Sequence, residues 1–404
     1  MMALFDIMTY PLRGKTVLLR VDYNVPLEKK KVKDNRKVLA SLSTIKLLLK
    51  NDCKIVLMSH LGRPDGKIDE NLRVTPLAKE LESLLKHPVH KLNDCIGEDV
   101  KKKIDSGKPK DIFILENLRF YAQEENNDPA FAHSLADLGE IYINDAFAVS
   151  HRAHASVEAI THFLPSLPGL LMKKEISFMD QALLPQRPAV WILGGGKLDK
   201  IPLLKNALQK ADHVLLGGAL PFAFLKAHGI STGMSKVDAA AVSEARKIMQ
   251  MKEVKKLILP PDFVVADKIT PRAKTKTVMA QEIASDQIAL DIGPESIKLF
   301  KHYLRKAHTI VWNGPLGYFE LMPFAEGTRD IARFLGRLTA VTIAGGGETA
   351  EALRKFQVDD LFTHVSTGGG AAVEYLEGKK LPGITALERN HKHFRKRSDR
   401  LKRR

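Results

Sequence analysis

The chain has 404 residues, 44% of them apolar and 27% charged, which supplies two sizeable cores and excludes disorder throughout. Two cysteines, Cys53 and Cys95, exclude a disulfide framework or a cysteine-rich zinc site, and Cys53 is read as a reduced core residue. The net charge is +16, and nine Lys/Arg against one Asp between Arg389 and Arg404 carry half of it. No apolar run approaches the ~20 residues of a membrane-spanning helix. The opening MMALFDIMTY has an aspartate and no basic stretch, so no secretory signal is expected and the location is read as cytoplasmic.

In chain order, short continuous apolar runs alternate with helix-period segments. The runs are 16–21, 54–58, 111–115 and 140–143 in the first half. In the second half they are 189–193, 213–216, 256–259, 287–291, 309–312, 340–344 and 363–365. Runs that are apolar throughout suit strands buried on both faces of a parallel sheet. Asp34 is placed to cap a helix with Val38, Leu42, Ile45 and Leu49 on one face. Thr75–Pro76 reads as the start of the next, with Leu77, Leu81, Leu84 and Leu85 inward.

A proline-flanked seam at PSLPGLLMKKEISFMDQALLPQRP encloses one helical segment, about 170–184. The pattern predicts an α/β protein of two doubly wound parallel-sheet, Rossmann-like domains joined by a helix. The expected boundaries are 1–165, a joining helix within 166–187, a second domain 188–378, a returning segment 379–388 and a basic tail 389–404. That tail is expected to be solvated and disordered, with polyanion binding a secondary possibility. A solenoid is excluded for want of a short repeat, and a barrel by the seam and the strand number.

Ligands of open parallel sheets sit beyond the carboxyl ends of the strands. In the first half those ends carry Asp22 and Asn24 (LLRVDYNVP), His60 and Arg63 (MSHLGRPDG), Asn117 and Arg119 (LENLRF), and Asp145, His151, Arg152 and His154 (NDAFAVSHRAHAS), with Arg36 opening the first helix. Four arginines on one rim point to an anion such as phosphate or carboxylate, because the guanidinium fork meets two oxygens at once. His151 and His154 lack the partners of a zinc site, and His154 reads as a packed or backbone-bonded histidine.

The second half has glycine-rich strand ends instead: GGGKLDK, GGA, NGPLG, AGGGET and STGGGAA. Glycine turns let a backbone approach closely and aim helix N-terminal amides at an anion. Five at one sheet edge suggest a nucleotide, with Lys197 and Lys200 as cations and Glu348 and Glu320 available to Mg²⁺ and a ribose. Neither a P-loop nor a dinucleotide fingerprint is present, which weighs against a nicotinamide oxidoreductase. An anion site and a nucleotide site together suggest phosphoryl transfer, which relies on positioning and charge neutralisation.

RVDYNVPL, SHLGRPDG, LENLRF, NDAF…HRAHAS, VWNGPLGYFE, GGGET and STGGGAAVEYLEGKKLPG, in that order from about residue 5 to 387, resemble the phosphoglycerate kinases. The resemblance implies reversible transfer from 1,3-bisphosphoglycerate to MgADP, giving 3-phosphoglycerate and MgATP, in a hinge-bending monomer. Carried over by motif, the phosphoglycerate site comprises Asp22, Tyr23, Asn24, Arg36, His60, Leu61, Gly62, Arg63, Arg119 and Arg152. The nucleotide site comprises Lys197, Lys200, Gly217, Asn313, Pro315, Gly317, Glu320, Gly345, Gly346, Gly347, Glu348 and Thr349. Glu348 is the implied Mg²⁺ residue, and the implied catalytic set is Arg36, Lys197, Gly347 and Gly369. No membrane or nucleic-acid partner is expected.

The chain departs from the family pattern in four places. Lys197 and Lys200 are one residue closer than usual, Glu348 replaces an Asp, Ala148 replaces a Gly, and the basic tail runs past the usual end. The rival reading is an impaired kinase scaffold that binds polyanions or nucleic acid through that tail.

Overall fold

The computed structural model describes residues 4–196 and 200–402. The chain divides into two units, one formed by Met1–Ile176 with Lys380–Arg404, the other by Ser177–Lys379. The division falls inside the helix Leu170–Leu183.

The first unit is built on a six-stranded sheet in the order Val89–Lys91, Ile112–Ile114, Lys54–Met58, Thr16–Arg20, Ile141–Asn144 and Ser166–Pro168. Every pairing is parallel. Alternate residues of its strands feed opposite cores: Val17, Leu19, Ile55 and Leu57 one, Leu18, Val56, Met58 and Tyr142 the other. Burial on both faces explains the unbroken apolar runs. Arg20 lies opposite both Met58 and Asn144, so the strands end in step and deliver Asp22, His60 and Asp145 to one rim.

The second unit repeats the form in the order Leu257–Ile258, His213–Leu216, Ala189–Leu193, Thr309–Asn313, Val341–Gly345 and His364–Val365, again all parallel. It also carries a three-stranded sheet, Lys276–Met279, Asp262–Ala266 and Ile288–Ile292, which is antiparallel. The 287–291 run, expected in the parallel sheet, belongs here. Its burial alternates, with Ala289 inward between the half-buried Ile288 and Leu290, so it covers one core rather than two.

The helix Arg36–Lys50 buries Val38, Ser41, Thr44, Ile45 and Leu48 and leaves Leu42 and Leu49 half-buried. All four predicted residues pack in or against the core, and two hydroxyls widen the buried face. Ser41 Oγ lies 2.7 Å from the Tyr23 hydroxyl, and Thr44 Oγ1 accepts the Leu170 amide at 3.0 Å. Asp34 stands one residue before the helix cap, yet its carboxylate accepts the Arg36 amide at 3.2 Å. The helix Thr75–Leu85 places Pro76 in its first turn, with Leu77 and Leu81 buried.

The basic tail, expected to be disordered from Arg389, is instead the end of a helix, Pro382–Lys402, in which Asn390 and His391 are buried while Lys392 and His393 are exposed. Asn390 is the cause. Its amide donates to the Thr161 and Leu164 carbonyls at 2.6 and 2.7 Å, and its oxygen accepts the Ser166 amide at 2.9 Å. The buried asparagine thus pairs the edge of the sheet and keeps the helix docked.

Candidate active site: an arginine rim and a glycine cradle

In the first unit the strand ends hold their polar residues through bonds to one another. Asp22 accepts the Asn24 amide at 3.0 Å and Lys37 Nζ at 2.6 Å, while Asn24 Oδ1 accepts the Gly62 amide at 2.9 Å. Asn117 ties the next loop down, taking the Leu61 amide at 3.1 Å and donating to its carbonyl at 2.8 Å. Gly62 has φ +64°, and a side chain there would overlap Leu72, so the turn that presents Arg63 requires glycine.

The arginines differ in how they are held. Arg119 is buried, with Nη1 donating to the Gly62 carbonyl at 2.8 Å and Nε 3.2 Å from Glu125. Arg36 is exposed on the first turn of its helix and pairs with Asp34. Arg152 Nε reaches His151 Nε2 at 3.3 Å. Among the described residues, neither Arg63 nor Arg152 has a carboxylate partner. Tyr23 and Leu61 lie in the motif but are buried. The Tyr23 ring packs into the core, and burial pushes its hydroxyl far above its ordinary pKa.

Beneath the rim lies a layer that sequence reasoning missed. Arg20, 1% exposed, donates from Nε to Ser156 Oγ at 2.7 Å and lies 3.3 Å from His60 Nδ1 and 3.8 Å from Glu124. Glu124 in turn accepts the Ser156 amide and hydroxyl at 2.9 and 2.6 Å. Burial first, then the Arg20 and Arg119 charges, holds His60 well below the ordinary histidine range and His154 down at about 3. Both rings are therefore neutral at pH 7, suited to accept or donate one hydrogen bond rather than to carry charge. The available signal was Arg20 itself, a cation closing an otherwise apolar strand.

In the second unit the site is made of backbone. Leu193, Leu216 and Asn313 are in register, and Asn313 pairs with Gly345, so four strand ends turn into glycine loops on one edge. The loops lace together: the Gly195 amide donates to the Pro315 carbonyl at 2.7 Å, Gly218 to Leu316 at 2.8 Å, and Gly314 to Thr349 Oγ1 at 2.6 Å. Asn313 is buried and donates to the Gly345 carbonyl at 3.1 Å. Gly217 packs on Leu316, and Gly317 packs on the carboxyl of Asp291, which leaves no room for a side chain at either. Asp291 is the second group missed. It is fully buried, accepts the Gly327 amide at 2.7 Å, and burial pushes its pKa up to about 8.

A cleft of about 540 Å³ opens over this edge, lined by Lys200, Asn313, Gly346, Gly347, Glu348, Thr349 and Gly369 among others. Gly346 caps the helix Gly347–Lys355 at φ +90°, and Gly369 precedes the short helix Gly370–Leu376 at φ +50°. Lys200 Nζ donates to the Gly194 carbonyl at 2.7 Å. A Cβ on Gly195 would lie 2.9 Å from Lys200 Nζ and 3.0 Å from Glu348 Oε2, so cation and carboxylate converge over that bare glycine. Glu320 is exposed; Lys355 fixes its loop by donating to the Phe319 and Glu320 carbonyls at 2.8 and 2.7 Å. Lys197 lies outside the described residues.

The sequence model of the family described as phosphoglycerate kinase matches residues 7–379. The chain belongs to the phosphoglycerate kinase family. A phosphoglycerate kinase of Dictyoglomus turgidum is 47% identical over 390 residues, covering 95% of this chain and 98% of that protein. One of Moorella thermoacetica is 46% identical over 390 residues, covering 96% and 99%. Among solved structures, the phosphoglycerate kinase of Coxiella burnetii aligns with a TM-score of 0.88 at 34% identity, over 96% of this chain and all of that one. The Pyrococcus horikoshii phosphoglycerate kinase aligns at 0.84 and 29%, over 96% and 99%. As a phosphoglycerate kinase family member the chain is a phosphotransferase with a carboxyl group as acceptor. It acts in glycolysis on phosphoglycerate and ADP or ATP. Among the described residues, no helix is long and apolar enough to cross a membrane.

Proposed function

We propose that the rim of the first unit is the phosphoglycerate site and the glycine edge of the second is the nucleotide site of this kinase. The observation that carries the assignment is an unmet demand for anion. Arg63 and Arg152 stand on the rim without a carboxylate among the described residues, above a buried layer that spends Glu124 on Arg20 and Ser156. Arg63, Arg119 and Arg152 would clamp the phosphate and carboxylate of the acid, and Asp22 and Asn24 would accept from its hydroxyl. Arg36, on a flexible stem at the helix start, would neutralise charge on the transferring phosphoryl.

In the second unit the helix N-terminal amides at Gly346–Gly347 and Gly369–Gly370 would meet the phosphate chain, with Lys200 and Lys197 supplying positive charge. The donor set fits Mg²⁺ carried by a polyphosphate: Glu348 is an exposed carboxylate beside a bare glycine, and the described residues hold no acidic cluster able to cage the ion alone. Bound there, Mg²⁺ would neutralise phosphate oxygens of the nucleotide. Direct transfer needs donor and acceptor oxygens in line, so we propose hinge-bending of a cytoplasmic monomer during turnover.

Titration of 3-phosphoglycerate and of ADP separately into the native chain and an Arg63→Ala, Arg152→Ala double variant tests the assignment. Phosphoglycerate affinity is expected to fall at least about tenfold, as loss of charged hydrogen bonds implies, with ADP affinity unchanged. An equal loss for ADP would refute it.

A further inference from the structure

The helix Pro382–Lys402 has two parts with different chemistry. Up to His391 it is fastened to the first unit. Ile384, Ala386, Leu387 and Asn390 are buried, Arg389 meets Glu158 at 2.5 Å, and the His391 ring stands edge-on to Phe5 with centroids 4.6 Å apart. From Lys392 onward the composition changes abruptly. Residues 392–404 hold five arginines, three lysines and one aspartate, and residues 380–404 lie beyond the span matched by the family model.

We infer that the terminal turns of this helix bind the phosphate backbone of a nucleic acid, an interaction separate from the kinase site. The helix bears Lys392, Arg395, Lys396, Arg397, Arg400 and Lys402 on one continuous segment. At a rise of 1.5 Å per residue, the stretch from 392 to 402 is about 15 Å long, and the same length of duplex carries about nine phosphate charges at one per ~1.7 Å. With Asp399 counted, the segment carries a net +5, enough to neutralise about half of those phosphates. The arginine majority favours phosphate, which the planar fork meets with paired hydrogen bonds. An anchored helix also has its backbone already ordered, which lowers the entropy lost on binding.

An anionic membrane fits less well. The only large apolar residues past 391 are Phe394 and Leu401, and Phe394 is already half-buried. That leaves too little apolar surface to enter a bilayer. The expectation that no nucleic acid binds rested on the two intact kinase sites, and a helix segment separate from those sites leaves both of them free.

The test uses fluorescence anisotropy of a labelled DNA duplex of about two helical turns, with the full chain and a variant carrying Arg395→Gln, Lys396→Gln, Arg397→Gln, Arg400→Gln and Lys402→Gln. A second variant ends after Phe394, which keeps the Asn390 anchor. Phosphoglycerate turnover is measured in parallel. Both variants are expected to bind at least about tenfold more weakly. The slope of log affinity against log salt between about 50 and 200 mM should shrink by ~0.9 for each phosphate that the variant no longer neutralises, with turnover unchanged. Undiminished duplex binding by the variants would overturn the inference. So would tighter binding of the full chain to phosphatidylserine vesicles than to the duplex, or loss of turnover in both variants.

Discussion

The two units solve one problem, holding an anion at the carboxyl edge of a parallel sheet, with opposite materials. The first uses side chains: arginines and neutral histidines, braced from below by Arg20, Glu124 and Ser156. The second uses main chain: glycine turns laced by bonds such as Gly195 to Pro315 and Gly314 to Thr349. A side-chain site fails piece by piece, because each guanidinium can be removed and leave the rest standing. A backbone site fails by intrusion, because its hydrogen bonds break only when an added atom forces the loops apart.

The largest expected effect separates rate from binding. Arg36→Ala should lower kcat about a hundred- to thousandfold, the usual loss for a charge-stabilising donor, with little change in ADP affinity. A parallel loss of ADP binding would put Arg36 on the wrong side of the comparison. Next comes intrusion. A Cβ on Gly194 would overlap the Pro315 carbonyl oxygen, so Gly194→Ala should destabilise the second unit by about 1–3 kcal/mol and weaken ADP binding while sparing phosphoglycerate. Calorimetric titration of each ligand distinguishes these outcomes.

The buried layers should also answer pH with opposite signs. His154 is held at about 3 against an ordinary 6.5, so below 6.5 the unfolded chain takes up the proton first and stability falls toward pH 3. Asp291 is raised from 3.8 to about 8, so the folded chain keeps a proton the unfolded chain has lost, and stability falls as pH rises through that window. His154→Gln should flatten the fall in stability below pH 6.5 and Asp291→Asn the fall between pH 3.8 and about 8, each by on the order of 1 kcal/mol per pH unit, read from thermal midpoints between pH 4 and 9. Slopes that do not change would remove these groups from the account. The smallest effect concerns Glu348. Its carboxylate is exposed and Mg²⁺ usually retains several waters, so Glu348→Asp should preserve or raise turnover across a Mg²⁺ titration. If Glu348 and the short Lys197–Lys200 loop compensate each other, that variant alone will lose activity, and adding one loop residue will restore it.

Most of the sheet was legible because strands buried on both faces, such as KIVLM and AVWIL, carry no competing signal. The edge strands Val89–Lys91 and Ser166–Pro168 were not, being three residues each with polar or proline content. At the sites, exposed rim residues such as Arg63 stood out because motif and chemistry coincide. The supporting groups did not. Glu124 and Asp291 are distant in sequence from what they brace, and a carboxylate in a helix or strand reads as surface until its burial is known. The tail misled for a related reason: one asparagine, Asn390, outweighs the surrounding charge by closing three bonds to the 161–166 segment.

Those three bonds also set an order of synthesis. The first unit is completed by Lys380–Arg404, so a nascent chain must build the whole of Ser177–Lys379 before Asn390 can reach Thr161 and Leu164. At ~5–20 residues per second, a growing chain would leave that edge of the sheet open for roughly 10–40 s. During that interval the carbonyls of Thr161 and Leu164 and the amide of Ser166 lack the partner they have in the finished molecule.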